Sequence, residues 1–254
     1  MHDELERIAR IWPASGKVLV LTGAGISVAS GIPDFRSPGG LWSKYDPMKV
    51  ATTEALEDDP TAVWTFLMDA VRVMSSARPN PAHAALAELE RAGLVEAVVT
   101  QNIDGLHQQA GSRNVLEFHG TMASYRCYSC GEPHDAKGAE SITPADSPWR
   151  CRCGGVVRPD IVFFGEAIPL DALNKSGQLA CGAELTLIVG TSCEVAPANA
   201  LPGLTKQCGG KVAEINAMPS RMRHLCEASV TAKAELALPV LAEMLMKTGN
   251  HATR

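Results

Sequence analysis

The sequence lacks any apolar run long enough to cross a membrane. Its longest apolar stretches, Val18 to Leu21 and Leu185 to Val189, are strand-length, far short of the roughly 20 residues of a spanning helix. It also lacks an excess of basic charge. Lys and Arg number 23 against 28 Asp and Glu, a formal charge of −5, which argues against a general nucleic-acid binder, since phosphate neutralisation wants a basic face. The opening residues, Met1-His2-Asp3-Glu4-Leu5-Glu6, lack the basic start and apolar core of a secretory signal. These absences point to a cytoplasmic protein with reduced thiols. Its eight cysteines are then expected to bind metal or fill core space, not to form disulfides. Disorder is excluded by a hydrophobic share of 46% against 20% charged residues. At about 150 residues per domain, the 254 residues make between one and two domains.

Short β-branched apolar runs alternate with amphipathic stretches. Lys17 to Leu21, Val95 to Thr100, Val115 to Phe118, Leu185 to Gly190 and Val212 to Ile215 read as strands buried on both faces. Asn80 to Arg91 and Ala234 to Met246 read as helices. The pattern predicts an α/β fold, a parallel sheet with helices on its faces. Two stretches break the alternation. Ile32 to Ala77 opens with a Pro/Gly-rich loop and continues as a helix striped by Val63, Phe66, Leu67, Ala70, Val71 and Met74. Thr121 to Pro159 is rich in Cys, Gly, Pro and Ser and needs a staple other than core packing.

That staple is legible. Cys127 and Cys130, then Cys151 and Cys153, are two pairs at a spacing suited to a tetrahedral thiolate zinc site. The second pair is C-x-C, which can face one ion from an extended backbone. Four free cysteines, or His134 as a substitute ligand, are the alternatives. With four sulfur ligands no position stays open for water, so the metal is expected to be structural. Cys181, Cys193, Cys208 and Cys226 lack paired spacing and are expected as core fillers.

Gly23-Ala24-Gly25 follows the first strand and suggests a phosphate at a tight backbone turn. It is also explained as a structural turn, because the third glycine of a dinucleotide fingerprint is replaced by Val28. Polar clusters follow four strands: Gln101-Asn102-Ile103-Asp104, His119-Gly120, Gly190-Thr191-Ser192, and Asn216. Ligands of open α/β sheets bind outside the carboxyl ends of the strands, so the four clusters suggest one shared crevice.

These motifs, with Gly31-Ile32-Pro33-Asp34-Phe35-Arg36, Phe163-Phe164-Gly165-Glu166 and Ile215-Asn216, resemble the sirtuins, the Sir2 family of NAD-dependent protein lysine deacylases, in their bacterial type. The resemblance runs in order from residue 17 to about 245. It implies a Rossmann-like NAD-binding domain over 1–31, 78–120 and 160–254. A smaller domain would combine a cofactor loop and helical insertion over 32–77 with a zinc ribbon over 121–159. It implies His119 as general base, with Asn102 also in the catalytic set. Gly23, Ala24, Gly25, Ser27, Asp34, Phe35 and Arg36 would serve the diphosphate side of NAD. Gln101 and Asn102 would hold the nicotinamide ribose, and Ile103 and Asp104 the carboxamide. Gly190, Thr191, Ser192, Asn216 and Ala232 would face the adenosine half. Phe163, Gly165, Glu166 and Val195 would clamp an acyl-lysine peptide as an added strand. The products would be nicotinamide, free lysine and an O-acyl-ADP-ribose.

Family members that remove succinyl or malonyl groups carry a Tyr and an Arg three residues apart on the small-domain helix. The corresponding positions here are Leu67 and Ala70, so neutral acyl groups are expected. The partners implied are acyl-lysine proteins or peptides, with no membrane and no direct nucleic-acid contact. Competing readings are mono-ADP-ribosyl transfer, a non-catalytic NAD-binding module, and a nucleotide-binding domain of the thiamine-enzyme type. The last gives no reason for the cysteine cluster.

Overall fold

The computed structural model describes residues 1–33 and 44–249. Helix α1 (His2–Ile11) leads into strand β1 (Val18–Thr22). Three helices, α2 (Pro47–Val50), α3 (Thr53–Asp58) and α4 (Pro60–Ser76), follow, and then α5 (Pro81–Arg91) and β2 (Ala97–Thr100). Next come α6 (Leu106–Gln109), β3 (Val115–Glu117), β4 (Gly120–Cys127), β5 (Pro133–Asp135), α7 (Ala136–Glu140) and β6 (Val157–Ile161). The chain closes with α8 (Leu170–Gly182), β7 (Leu185–Val189), α9 (Leu201–Gln207), β8 (Lys211–Asn216), β9 (Ala228–Thr231) and α10 (Ala234–Gly249).

Six strands form one parallel sheet in the order β3-β2-β1-β7-β8-β9. Every residue of β1, β2 and β7 is buried, as both-face coverage by helices requires. One face packs α1, α5 and α10 through Leu5, Ile8, Leu86, Leu89, Leu238 and Leu241. The other packs Ala180, Ala183, Ala198 and Leu201 against Leu19, Leu21, Val99 and Ile188. The strand order reverses at β1, which lies between β2 and β7. In a doubly wound sheet that junction opens a crevice.

The smaller body has one core shared by both insertions. Val63, Trp64, Phe66 and Leu67 of α4 pack with Tyr125, Cys127, Val157 and Phe163, and the Trp64 indole donates to the Val157 carbonyl at 2.8 Å. Its helices start where the local chemistry says they should. Thr52 and Asp59 accept backbone N–H bonds as N-caps of α3 and α4, with Pro60 opening α4. Strands β5-β4-β6 form a separate antiparallel sheet. No helix among the described residues is long and apolar enough to span a membrane.

One expectation fails. Cys181 and Cys208 form a disulfide, with Cα atoms 5.2 Å apart. Cys181 lies in the last turn of α8 and Cys208 just past the end of α9. These helices lie side by side, so two residues 27 apart in sequence meet at the surface. Helix packing, invisible to cysteine spacing, brings the pair together. Cys193 is buried in the core and Cys226 packs against it, as expected of fillers.

The disulfide closes a loop between two packed helices, and removing it frees the unfolded chain. Reduction, or Cys208→Ser, is expected to destabilise the protein by about 2–4 kcal/mol in denaturant titration. Eight titratable thiols in unreduced, denatured protein would show that the bridge does not form.

Candidate active site and cysteine centre

The turn after β1 is built on contact between backbones. Gly25 donates its N–H to the Gly190 carbonyl at 2.8 Å. A Cβ on Gly25 would lie 2.7 Å from that oxygen, so only glycine fits. Gly190 itself has φ +61°, and a Cβ there would come within 2.3 Å of the Ile26 nitrogen. Gly23, Ala24 and Gly25 thus stand directly against Gly190-Thr191, joining two predicted clusters at the switch point.

Gln101 links three of the clusters. Its N–H donates to the Thr22 carbonyl at 3.0 Å. Its side-chain amide donates to the same carbonyl at 3.2 Å and to Thr191 Oγ1 at 2.9 Å. Its own carbonyl lies 3.0 Å from His119 Nδ1. A carbonyl can only accept, so Nδ1 carries the proton and the neutral ring keeps its lone pair on Nε2. Burial holds the His119 pKa below the usual 6.5, against the Gln101 carbonyl, which raises it. His119 is therefore a neutral imidazole at pH 7 with Nε2 free to take a proton.

Asn102 is buried and donates to the Gly23 carbonyl and to Ser27 Oγ, both at 3.1 Å. Ser27 Oγ donates to Asp104 Oδ2 at 2.7 Å, and Asp104 Oδ1 accepts the Leu106 N–H at 3.0 Å. Ile103 packs against the small-domain core. On the far side, Thr191 and Asn216 exchange two bonds, Thr191 N–H to Asn216 Oδ1 at 3.0 Å and Asn216 Nδ2 to the Thr191 carbonyl at 3.1 Å. Ala232 donates its N–H to the Asn216 carbonyl at 3.0 Å, and the Ser192 carbonyl accepts the Arg221 N–H at 3.0 Å. Asp34, Phe35 and Arg36 lie outside the described residues.

The segment expected to clamp a peptide holds itself. Phe163 is buried in the small-domain core, and its N–H donates to Glu166 Oε2 at 2.8 Å. Gly165 makes the turn at φ +88°. Arg158, which sequence reasoning passed over, is almost fully buried. It forks onto Glu166 at 2.5 and 2.9 Å, bonds the Ile161 carbonyl at 2.5 Å, and stacks 4.2 Å from the Phe163 ring centroid. The Glu166 carboxylate is thus taken up within the protein, where it shapes the turn. Val195 is half-buried in the loop after β7. Leu67 and Ala70 are buried on α4, Leu67 within the small-domain core.

Sequence reasoning also passed over Thr22, His83 and the pairing of His83 with His107. His107 Nε2 lies 3.0 Å from Thr22 Oγ1, and the two imidazoles meet edge to face at 4.9 Å. Burial pushes their pKa values down to about 4 for His83 and about 3 for His107. Both are neutral framework under the crevice. His83 is also the N3 residue of an Asn80 capping box, a signal that a search for Glu or Gln at that place overlooks.

The four expected cysteines converge. Their sulfurs all lie within 4.8 Å of one another, with Cys127–Cys153 at 3.5 Å and Cys130–Cys151 at 3.9 Å. Four sulfurs held about 2.3 Å from one zinc would sit roughly 3.8 Å apart, so the set fits that ion. Burial opposes charge on Cys127, yet backbone N–H groups of Cys130 and Ser129 bring its thiol down to about 7. The C-x-C pair fits as well as the C-x-x-C pair. His134 is not in the cluster and packs against Trp149 instead. The zinc these cysteines would hold is structural, with all four positions filled by protein.

Comparison with known proteins agrees with this geometry. The model of the Sir2 family matches residues 23–197. An NAD-dependent protein deacylase of Pyrobaculum aerophilum is 44% identical over 93% of this chain and 94% of its own. An NAD-dependent protein deacetylase of Sulfurisphaera tokodaii is 42% identical over 98% of each. Both organisms are archaea. Among solved structures, a Sir2 homolog–NAD complex superposes with a TM-score of 0.88 at 37% identity, covering 96% of this chain and 94% of that one. A Sir2 variant with a deacetylated p53 peptide and 3'-O-acetyl ADP-ribose gives 0.87 at 36% over 94% and 98%. A Sir2 protein bound to a myristoylated histone peptide gives 0.83 at 36% over 99% and 100%.

Metal binding at such a site is folding free energy. Purified protein is expected to contain one zinc per chain by elemental analysis, and its removal by a strong chelator should lower the melting temperature. A metal-free protein with unchanged melting would refute the site.

Proposed function

Because the chain belongs to the Sir2 family, an NAD-dependent protein deacylase, we propose that it removes neutral acyl groups from lysine side chains and yields nicotinamide, free lysine and an O-acyl-ADP-ribose. The observation that carries this reading is the bond from His119 Nδ1 to the Gln101 carbonyl. It places the proton on Nδ1 and the lone pair on Nε2, and on this reading Nε2 serves the crevice at the carboxyl ends of β2 and β3, with the residues that would hold a ribose. NAD would supply an electrophilic ribose carbon, to which the acyl oxygen of the lysine amide would bond as nicotinamide departs. Nε2 of His119 takes the proton of a ribose hydroxyl. Gln101 and Asn102 orient that ribose, and Ile103 and Asp104 meet the carboxamide. Gly23, Ala24, Gly25 and Ser27 lie along the diphosphate, with Asp34, Phe35 and Arg36 assigned there too. Gly190, Thr191, Ser192, Asn216 and Ala232 take the adenosine half. The three-part NAD-binding domain, the 32–77 insertion and the 121–159 ribbon are the division this reading implies.

The acylated peptide enters as a strand between Phe163-Gly165 and Val195, bonded through its backbone. Glu166 acts through the shape of the turn, set by Arg158. Leu67 and Ala70 offer neither a hydroxyl nor a cation. A succinyl carboxylate there would be buried without a partner, at a cost of several kcal/mol. The relatives' complexes with an acetyl ADP-ribose and with a myristoylated peptide support neutral chains of different lengths.

Three results test the reading. Mass spectrometry of products from NAD and a panel of acyl-lysine peptides should give O-acyl-ADP-ribose with acetyl or longer aliphatic chains. Succinyl turnover above acetyl would overturn the acyl preference. His119→Ala is expected to lose at least about 100-fold in kcat while remaining folded, and near wild-type turnover would reject the base. Since burial lowers the His119 pKa, the acid limb of wild-type kcat/KM should be centred below the usual 6.5 of an imidazole. An acid limb centred above 6.5 would contradict this.

A further inference from the structure

Glu214 is a wholly buried carboxylate that no step of the proposed reaction uses. It lies on β8 two residues before Asn216, so the two side chains point to the same face of the strand. Its partners come from the segment that follows β8. Ser220 donates both its N–H, at 3.2 Å, and its hydroxyl to Oε2. Arg223 Nη1 lies 3.4 Å from Oε1 and donates to Thr231 Oγ1 at 3.1 Å. Ser220 Oγ in turn accepts the Met222 N–H at 3.2 Å.

The segment held this way reaches the adenosine-side loops. Arg221 donates its N–H to the Ser192 carbonyl at 3.0 Å and its Nε to Glu194 at 3.3 Å. Ser192 follows Thr191, which exchanges two bonds with Asn216, and Thr231 precedes Ala232, which bonds the Asn216 carbonyl. Through Ser220 and Arg223, Glu214 therefore anchors the segment 220–223, which bonds Ser192 and Thr231, one assigned to the adenosine half and the other preceding Ala232, which is also assigned there. Burial first, and the Glu214 charge after it, push Cys193 up to about 11 and Cys226 up to about 12.

A buried acid in a protein interior is expensive unless its acceptors are filled. Here they are filled by a loop that gains its fixed course from them, while a hydrophobic residue would leave Ser220 and Arg223 without that guide. We propose that Glu214 is a positioning residue for dinucleotide binding, which through Ser220 and Arg223 fixes the loop that shapes the adenosine subsite. The inference rests on the NAD-dependent reading above and adds a residue to it that touches neither reacting group.

The test measures ADP-ribose binding by calorimetry, together with KM for NAD and for acyl peptide, on Glu214→Gln and Ser220→Ala. Glutamine keeps the volume and one acceptor but sets an amide donor against Ser220 or Arg223. Each variant is expected to bind ADP-ribose about tenfold more weakly, about 1.4 kcal/mol, with KM for NAD raised in parallel. The kcat at saturating NAD and the peptide KM should stay within about twofold, a split that general loosening of the fold would not produce. Wild-type ADP-ribose affinity in a folded variant, or a peptide KM that rises as much as that for NAD, overturns the inference alone. Should Glu214→Gln fail to fold, Ser220→Ala carries the same outcomes. A wild-type protein that does not bind ADP-ribose would overturn the NAD reading itself, and this inference with it.

Discussion

Gly25 gives its N–H to the Gly190 carbonyl across the junction of β1 and β7, and the distances leave no room for a methyl group on either residue. That approach sets the floor of the crevice. It brings the turn after β1 within reach of Thr191, which in turn receives the Gln101 side chain from β2. The neighbouring strands β2, β1 and β7 are thereby tied at their carboxyl ends, beyond the ladder bonds of the sheet. The His119 bond to the Gln101 carbonyl then adds the loop after β3. A wider gap at the two glycines would separate Thr191 from Gln101, and His119, bonded to Gln101, would lose its register with Thr191. The remaining groups are positioned relative to this contact.

Much of this was legible because strand ends are local features. An apolar run followed by Gln101-Asn102 or Thr191-Ser192 identifies a carboxyl end without knowledge of the neighbours, and the parallel topology then gathers those ends. The cysteine centre was legible for a similar reason, since two short pairs bracket one module. What stayed hidden depends on contacts between distant segments. Arg158 reads as an ordinary strand charge until β6 places it on Phe163 and Glu166. Glu214 reads as a polar interruption of an apolar strand until Ser220 folds back onto it. Cys181 and Cys208 have no mutual spacing signal, and the packing of α8 on α9 alone decides that they meet. Nor does a chain read as carrying only reduced thiols offer a reason for the pair, which the helix packing supplies.

The small domain shows how a weak core is made to hold a site. Its three-stranded sheet is short, and two of its strands leave much of their surface exposed. Trp64, Tyr125 and Trp149 supply an aromatic cluster, with Trp64 and Tyr125 stacked at 6.3 Å and Trp64 against Trp149 at 5.9 Å. The cysteine centre closes the outer end. Cys127 pairs in register with Val157, and Arg126 with Arg158. The metal knuckle is therefore continuous through one strand pair with the residue that shapes the turn at Phe163-Glu166. The cysteine cluster and the Phe163-Glu166 turn are joined by backbone pairing.

Two buried charged side chains thus hold turns by convergent hydrogen bonds, Arg158 at Phe163-Glu166 and Glu214 at 220–223. Each charge would be costly alone, and an apolar replacement could pack as well or better. What an apolar residue lacks is direction. Arg158 has a planar fork that fixes Glu166 and two carbonyls at once, and Glu214 fixes a backbone N–H, a hydroxyl and a guanidinium. A loop held by packing can slide by fractions of an ångström, but a loop held by several convergent hydrogen bonds cannot without breaking one in a low-dielectric interior. The chemistry assigned to His119 needs two substrates brought from opposite sides to within bonding distance, where small misplacement is expensive in rate. Buried polar anchors such as Arg158 and Glu214 answer the precision that the proposed reaction requires.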